Sequence, residues 1–353
     1  MKVFKTCSLI IVIVLVGCTS KTEYQRVSGY ALGTTYNITY FDTKVNPEVL
    51  PAIDSIFYVL NKSMSTYIKN SDISKINRGD DQVVVDHHFK TVFNAAKAVF
   101  IATQGFFDPT VGNLVNAYGF GPEDGLETLT ASDRDRLLAL TGFEKVTLHE
   151  EGRIDKSDPN IYLDFNAIGK GYAVDVLSSM MEKRFGYTNT LVEIGGELQA
   201  KGKHILKNSS WTVAIDAPNE DVAERDLLRT LTLQNQALAT SGNYRKFRID
   251  EKANKYVHTI NPFDGTAQPS KVLSASVIAA DCMTADAYAT ALMSMPISKI
   301  ETLSLDGIEY MLVLAGDNGN YDIQRSPGFP RSICLSTNRN DFVGWHCIAC
   351  LFF

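Results

Sequence analysis

Segments with strand periodicity and segments with helix periodicity are interspersed along this 353-residue chain without strict alternation. That ordering favours an α+β fold over a doubly wound parallel sheet. Val27 to Phe41 alternates as strands around a turn at Gly33. Ile53, Ile56, Phe57, Leu60 and Met64 recur at helical spacing, and Phe89, Val92, Phe93 and Ala96 do the same. Further on, Ile161 to Asp164 reads as a short strand and Ile168 to Phe185 as a helix opened by Gly169 and Gly171. Leu191 to Ile194 reads as a strand ending at Gly195-Gly196. Trp211 to Ile215, Leu228 to Leu233, Tyr256 to Ile260 and Val272 to Ala279 are strand candidates, and Met283 to Met295 a helix candidate. At ~150 residues per domain the length suggests two domains or one large one. No linker divides the body, so one unit, at most two-lobed, is expected.

The first residues stand apart. Lys2 and Lys5 precede an apolar run from Leu9 to Val16, too short to span a bilayer as a helix but suited to a signal-peptide core. The run ends in Leu15-Val16-Gly17-Cys18, which resembles a bacterial lipoprotein box. The expected organisation is a signal peptide over 1–17, a lipidated tether over 18–26 starting at Cys18, and a body over 27–328. An atypical tail covers 329–353. The mature protein would be lipid-anchored at the cell membrane and face the periplasm. The chain has 34 Lys and Arg against 40 Asp and Glu. Losing Lys2 and Lys5 with the leader makes the remainder two charges more negative. No basic excess points to nucleic acid as a partner. With 45% hydrophobic and 21% charged residues, wholesale disorder is excluded.

Three segments carry chemistry. In Ala285-Asp286-Ala287-Tyr288-Ala289-Thr290, Asp286 and Thr290 share one helix face. A carboxylate beside a hydroxyl offers hard oxygens suited to Mg²⁺ next to a phosphate. A helix start capped by Thr284, with Asp286 in the dipole-favoured first turn, explains the same residues. In Asp164 to Asp175, a strand ends in an acid and a glycine-containing turn leads into a helix bearing Lys170. Free N–H groups at a helix start, with a lysine, favour an anion, although a glycine-capped turn with a surface lysine has the same pattern. In His258-Thr259-Ile260-Asn261-Pro262, a strand histidine precedes a turn. Histidine serves as a general base near neutral pH, or simply as a structural residue.

Taken in order, these segments resemble the ApbE family of FAD:protein FMN transferases. The resemblance rests on Gly33-Thr34, Met64-Ser65-Thr66-Tyr67, Phe107-Asp108-Pro109-Thr110 and Asp164 with Lys170-Gly171-Tyr172 and Asp175. It continues through Gly195-Gly196, Thr240-Ser241-Gly242 with Tyr244, His258 to Gly265, and Ala285 to Thr290. Each motif is weak alone, and the ordered set is specific. The resemblance implies an ApbE-like, T-fold-like α+β architecture of mixed sheets with packed helices. It implies Mg²⁺-dependent transfer of FMN from FAD to a Thr or Ser hydroxyl of an acceptor flavoprotein, releasing AMP. Expected acceptors are membrane redox-pump subunits or FMN-binding domains.

Carried over, Asp286 and Thr290 resemble the side-chain Mg²⁺ ligands, and Ala167 matches the position that offers a backbone carbonyl. Leu32, Tyr67, Phe106, Phe107, Asp108, Asp164, Lys170 and Ile260 match FAD-contacting positions, and His258 matches the histidine implicated in catalysis. Leu32 replaces the usual Met, Tyr118 stands where Trp is common, and Asn166 occupies a position that is often small. None of these changes removes a metal ligand or the histidine. The end of the chain departs most. Cys334, His346, Cys347 and Cys350 have the wrong order for haem attachment, and as a zinc set they would need all four. Two other readings use the same segments: an Mg²⁺-dependent FAD pyrophosphatase with water as acceptor, and a lipid-anchored FAD-binding protein without catalysis.

Overall fold

The computed structural model describes residues 22–126, 129–218, 226–244, 247–250, 253–317 and 320–331. The expected signal peptide, Cys18 and the cysteines of the tail lie outside these residues. The elements run β1 (Glu23–Ala31), β2 (Thr34–Asp42), α1 (Val49–Met64), α2 (Asp72–Asn77), α3 (His87–Ala102), α4 (Gly112–Ala117) and α5 (Ala131–Leu138). They continue with β3 (Val146–Leu148), β4 (Ile154–Lys156), α6 (Asn166–Lys183), β5 (Thr190–Ile194), β6 (Glu197–Lys201), β7 (Trp211–Asp216) and β8 (Leu227–Leu233). The last are β9 (Gln236–Gly242), β10 (Phe247–Ile249), β11 (Lys255–Val257), β12 (Val272–Ala279), α7 (Cys282–Ser294), α8 (Ile297–Ile300), β13 (Glu309–Ala315) and β14 (Tyr321–Arg325).

Eight strands form one antiparallel sheet in the order β1-β2-β5-β6-β9-β12-β13-β14. Both faces are covered, which explains why β12 reads as a nearly continuous apolar run rather than an alternating one. Side chains such as Val192, Ala239 and Val277 point to the face on which α6 and α7 lie, with α1 and α3 packed against those helices. Leu198, Leu238, Ile278 and Met311 point to the other face, under Trp211, Leu231 and Leu233 of the β7–β8 hairpin. A satellite core joins Leu114, Leu137, Ile260 and Ala267 around α4 and α5.

The helical spacing of Ile53, Phe57, Leu60 and Met64 buries one side of α1. The N-cap of α3 is Asp86, which accepts from the Phe89 N–H at 2.9 Å.

The structure corrects several local expectations. Ile161 to Asp164 is not a strand; only an isolated bridge joins Val111 and Tyr162. The backbone groups a ladder would need are taken elsewhere. Asn77 binds both the N–H (2.8 Å) and the C=O (2.9 Å) of Leu163, and the Asp164 N–H donates to Pro109 O at 2.8 Å. The cap of α7 is Asp281, not Thr284, because its carboxylate accepts from the Thr284 N–H at 2.8 Å. Strand β11 stops at Val257, so His258 lies just beyond it, in a segment anchored by Val257 N–H to Ala267 O and Asn261 N–H to Thr266 O. Strand β1 starts at Glu23, inside the stretch read as tether, and Phe329, read as the start of the tail, is buried in the second core.

Candidate active site

The centre of the site lies where α6 crosses α7. A Cβ on Gly171 would sit 2.3 Å from Cys282 O and 2.8 Å from Asp286 Cβ, so only glycine permits this approach. The contact delivers the Gly171 N–H to Asp286 Oδ2 at 3.0 Å. Asp286 is 3% exposed, and burial raises its carboxyl pKa while Lys170 and the Gly171 N–H pull it down. One turn on, the hydroxyl of Thr290 lies 3.3 Å from that of Ser241 on β9.

Asp175, on the same face of α6 as Gly171, fixes the start of α7. Its Oδ1 accepts from Cys282 N–H and its Oδ2 from Met283 N–H, each at 2.8 Å. A second helix thus caps the first two donors of α7, while Asp281 takes the third. Burial pushes the Asp175 carboxyl up to about 7, against the pull of those two N–H donors. The sequence contained the signal, an aspartate four residues after Gly171, but nothing local shows that its partners are more than 100 positions away.

The Gly195-Gly196 turn brings β6 in beside the start of α6. Both glycines have positive φ (58° and 101°), and a Cβ on Gly195 would meet the Thr34 side chain at 2.7 Å. The Gly195 N–H donates to Thr35 O at 3.0 Å, tying this turn to the β1–β2 turn that carries Leu32. Leu32 itself has φ 52°. Beyond the turn, Glu197 accepts a hydrogen bond from Lys170 Nζ. On the opposite face of the sheet, Glu193 accepts from Asn37 Nδ2 at 2.8 Å and from Gly196 N–H at 2.7 Å.

A second group gathers at the start of α6. Asp164 Oδ1 accepts from the Asn166 N–H at 2.7 Å, and Asn166 Nδ2 donates to Thr66 Oγ1 at 3.4 Å. Tyr67 is 59% exposed; partial burial first, then the nearby Asp164 carboxylate, raises its hydroxyl pKa. Ala167 occupies the first turn of α6. A third group surrounds the histidine. His258 makes an edge contact with Phe120 (centroids 6.4 Å apart), and its neighbour Thr259 donates to Asn243 Oδ1 at 2.9 Å. Asn243 follows β9, the strand that carries Ser241 to Thr290.

Not all expected FAD contacts present their side chains. Phe107 is 2% exposed and Ile260 5%, both in apolar clusters. Asp108 is buried as well: its Oδ1 accepts from the Thr110 N–H at 2.8 Å and from the Thr110 hydroxyl, and burial raises its carboxyl to about 6. Phe107 and Asp108 pack inward in the loop between α3 and α4, and Ile260 does so in the segment after β11. Phe106 packs against the exposed Phe263 at 4.6 Å between centroids, and its carbonyl accepts from the Ser294 hydroxyl at 2.8 Å.

Among the described residues no group of three or more His, Cys, Asp and Glu side chains is arranged to hold a metal. A single buried carboxylate with a hydroxyl on the next turn nevertheless fits Mg²⁺, which takes one or two carboxylates and draws its other oxygens from phosphate and water. Asp286 meets that requirement: one oxygen is fixed by Gly171, and its burial leaves the charge poorly solvated.

Comparison with known proteins agrees with this architecture. The chain is 33% identical over 317 residues to the FAD:protein FMN transferase of Vibrio cholerae serotype O1, covering 87% of this chain and 92% of that protein. It is 29% identical to the FAD:protein FMN transferase of Escherichia coli K12, covering 92% and 95%. Its fold superposes on the flavin transferase ApbE from Vibrio cholerae with a TM-score of 0.77 at 32% identity, covering 88% of this chain and 99% of that one. Against the apo form of Pseudomonas stutzeri flavinyl transferase ApbE the TM-score is 0.76 at 28% identity, covering 87% and 95%. The ApbE family profile matches residues 32–312, from the β1–β2 turn through α6 and α7 into β13, and the chain therefore belongs to the ApbE family.

Proposed function

We propose that this protein is an FAD:protein FMN transferase that joins FMN to a Thr or Ser hydroxyl of an acceptor flavoprotein and releases AMP. The observation that carries the proposal is the junction of α6 and α7. There a buried Asp286 meets the Gly171 N–H and lies within the electrostatic reach of Lys170, in a chain matched along most of its length by proteins of that activity. The acidic helix is tied to β9 through Thr290 and Ser241, and the histidine segment to the residue that follows β9 through Thr259 and Asn243.

In the reaction, the acceptor oxygen forms a bond to the phosphorus on the FMN side of the pyrophosphate, and the bond from that phosphorus to the AMP oxygen breaks. The hydroxyl proton leaves with a base and AMP departs with the electron pair. Asp286, Thr290 and the Ala167 carbonyl would hold Mg²⁺, which supplies Lewis-acid and template chemistry to the pyrophosphate. Lys170 places positive charge at the start of α6, where charge builds on the phosphates. His258 takes the acceptor proton. Tyr67 is exposed enough to stack on a flavin or adenine ring, while Leu32, Phe106 and Asp164 shape the walls. Phe107, Asp108 and Ile260 support those walls from the interior.

The N-terminal signature supports a lipid anchor at Cys18 that holds the enzyme on the periplasmic side of a membrane. Among the described residues no helix is long and apolar enough to cross one. Membrane redox-pump subunits and FMN-binding domains fit as acceptors, since they face the same compartment. The test combines mature protein, FAD, Mg²⁺ and a candidate acceptor domain, followed by intact mass. An FMN adduct that EDTA abolishes supports the reading. Steady release of free FMN and AMP without an adduct on any acceptor would establish a pyrophosphatase instead.

A further inference from the structure

Lys170 and Gly171 are consecutive on α6 and serve two different carboxylates. Gly171 gives its N–H to Asp286, and Lys170 gives its ammonium to Glu197. Glu197 opens β6 opposite Ile194, so its side chain points to the helix-covered face of the sheet. Its side chain is 4% exposed, and its second oxygen, Oε2, is buried with no hydrogen-bond partner. Lys170 also lies within electrostatic reach of Asp286. Two buried carboxylates, Glu197 by direct contact and Asp286 through the field of the charge, therefore draw on one ammonium, and burial raises the pKa of both. Burying an unsatisfied carboxylate oxygen is costly, and an apolar side chain of similar size is commonly no worse for stability. The position of Glu197 thus calls for a role beyond packing.

We propose that Glu197 is a positioning residue that holds the Lys170 ammonium away from Asp286, keeping the Asp286 carboxylate available to the divalent cation. The inference rests on the reading of Asp286 as an Mg²⁺ ligand. Without the Glu197 charge, Asp286 and Glu193 are the buried carboxylates left within the electrostatic reach of Lys170, and an ion pair at Asp286 competes directly with the metal. Glu197 does not touch the cation in this scheme; it acts through Lys170. The conservative Glu197→Gln change keeps the shape and removes the charge.

The experiment titrates Mn²⁺, a hard cation that suits the same oxygen ligands, into FAD-saturated protein and follows the free-ion signal by electron paramagnetic resonance. Wild type, Asp286→Ala, Glu197→Gln, Lys170→Met and the Glu197→Gln/Lys170→Met double variant are compared, with thermal melts as a folding control. Glu197→Gln is expected to weaken Mn²⁺ binding about tenfold or more, the scale seen when the outer partners of metal sites are removed. Lys170→Met binds the ion as well as wild type or better. Adding Glu197→Gln to Lys170→Met changes affinity less than about threefold, because the residue through which Glu197 acts is gone. Equal loss in both backgrounds, or no loss in either, overturns the proposal. Should Glu197→Gln not fold, Glu197→Met, which also removes the charge, takes its place with the same expectation of a loss that vanishes in the Lys170→Met background. If Asp286→Ala binds Mn²⁺ like wild type, the metal assignment itself has failed, whatever Glu197 does.

Discussion

The backbone N–H of Gly171 donates to Asp286 Oδ2 across 3.0 Å, and only the missing side chain of Gly171 lets α7 come that close. Substituting Gly171→Ala forces a methyl group into Cys282 O and Asp286 Cβ. Overpacking of this kind costs about 1–3 kcal/mol. Thermal melts should show that loss, and the Mg²⁺ concentration for half-maximal FMN transfer should rise. An alanine variant with wild-type stability and Mg²⁺ response would show that the helices separate freely at this point.

Asp286→Ala should abolish the Mg²⁺ dependence of transfer and reduce its rate by about 100-fold or more. Thr290→Val, which keeps the shape and removes the hydroxyl, should weaken the apparent Mg²⁺ affinity without altering the fold. Initial rates at graded Mg²⁺, read as adduct formation by mass spectrometry, check both variants. A Mg²⁺ curve for Thr290→Val that overlays the wild-type curve would remove the hydroxyl from the ligand set.

His258→Ala should lower the transfer rate by about 10²–10⁴-fold, the usual scale for loss of a general base. FAD affinity, measured by flavin fluorescence, should change little. A His258→Ala protein that transfers FMN at the wild-type rate would eliminate this assignment.

Asp175 links stability to pH. Its carboxyl is raised from 3.8 to about 7, with burial as the largest cause. Between these values the folded protein keeps a proton that the unfolded chain releases. The stabilisation is therefore complete below about pH 4 and is lost progressively as pH rises through about 7. Asp175→Asn, neutral at every pH, should be less stable than wild type by ~1 kcal/mol at pH 5, because the amide nitrogen cannot accept the second N–H group, and this deficit should shrink as pH rises through about 7. Its melting temperature should fall less steeply than that of wild type between pH 5 and 7.5. Parallel curves, recorded by circular dichroism in EDTA, would show that Asp175 is already ionised in the folded protein.

Cys18→Ala should move the protein from the membrane fraction to the soluble fraction of fractionated cells, because a body without its acyl chains has little to hold it there. Persistence in the membrane fraction would rule out the lipid anchor.

Some of this molecule was legible without its tertiary structure. The spacing of Ile53, Phe57, Leu60 and Met64 marks α1, the strands around Gly33 are visible as alternation, and Asp286 and Thr290 fall one turn apart on α7. Each is a local matter, decided by how a side chain sits relative to neighbours three or four positions away, or by where a glycine allows a turn. The ordered motifs likewise identified the family. Other features are non-local. Asp175 caps a helix that starts at Cys282, Asn77 takes the backbone groups that would have made Leu163 a strand residue, and Glu197 meets Lys170 across a turn and a helix. Phe107, Asp108 and Ile260 fall in motifs associated with ligand contact yet point into the interior. Burial and hydrogen-bond partners depend on which surfaces the sheet and helices bring together. Long-range packing therefore decided which members of each motif are buried and which stay exposed.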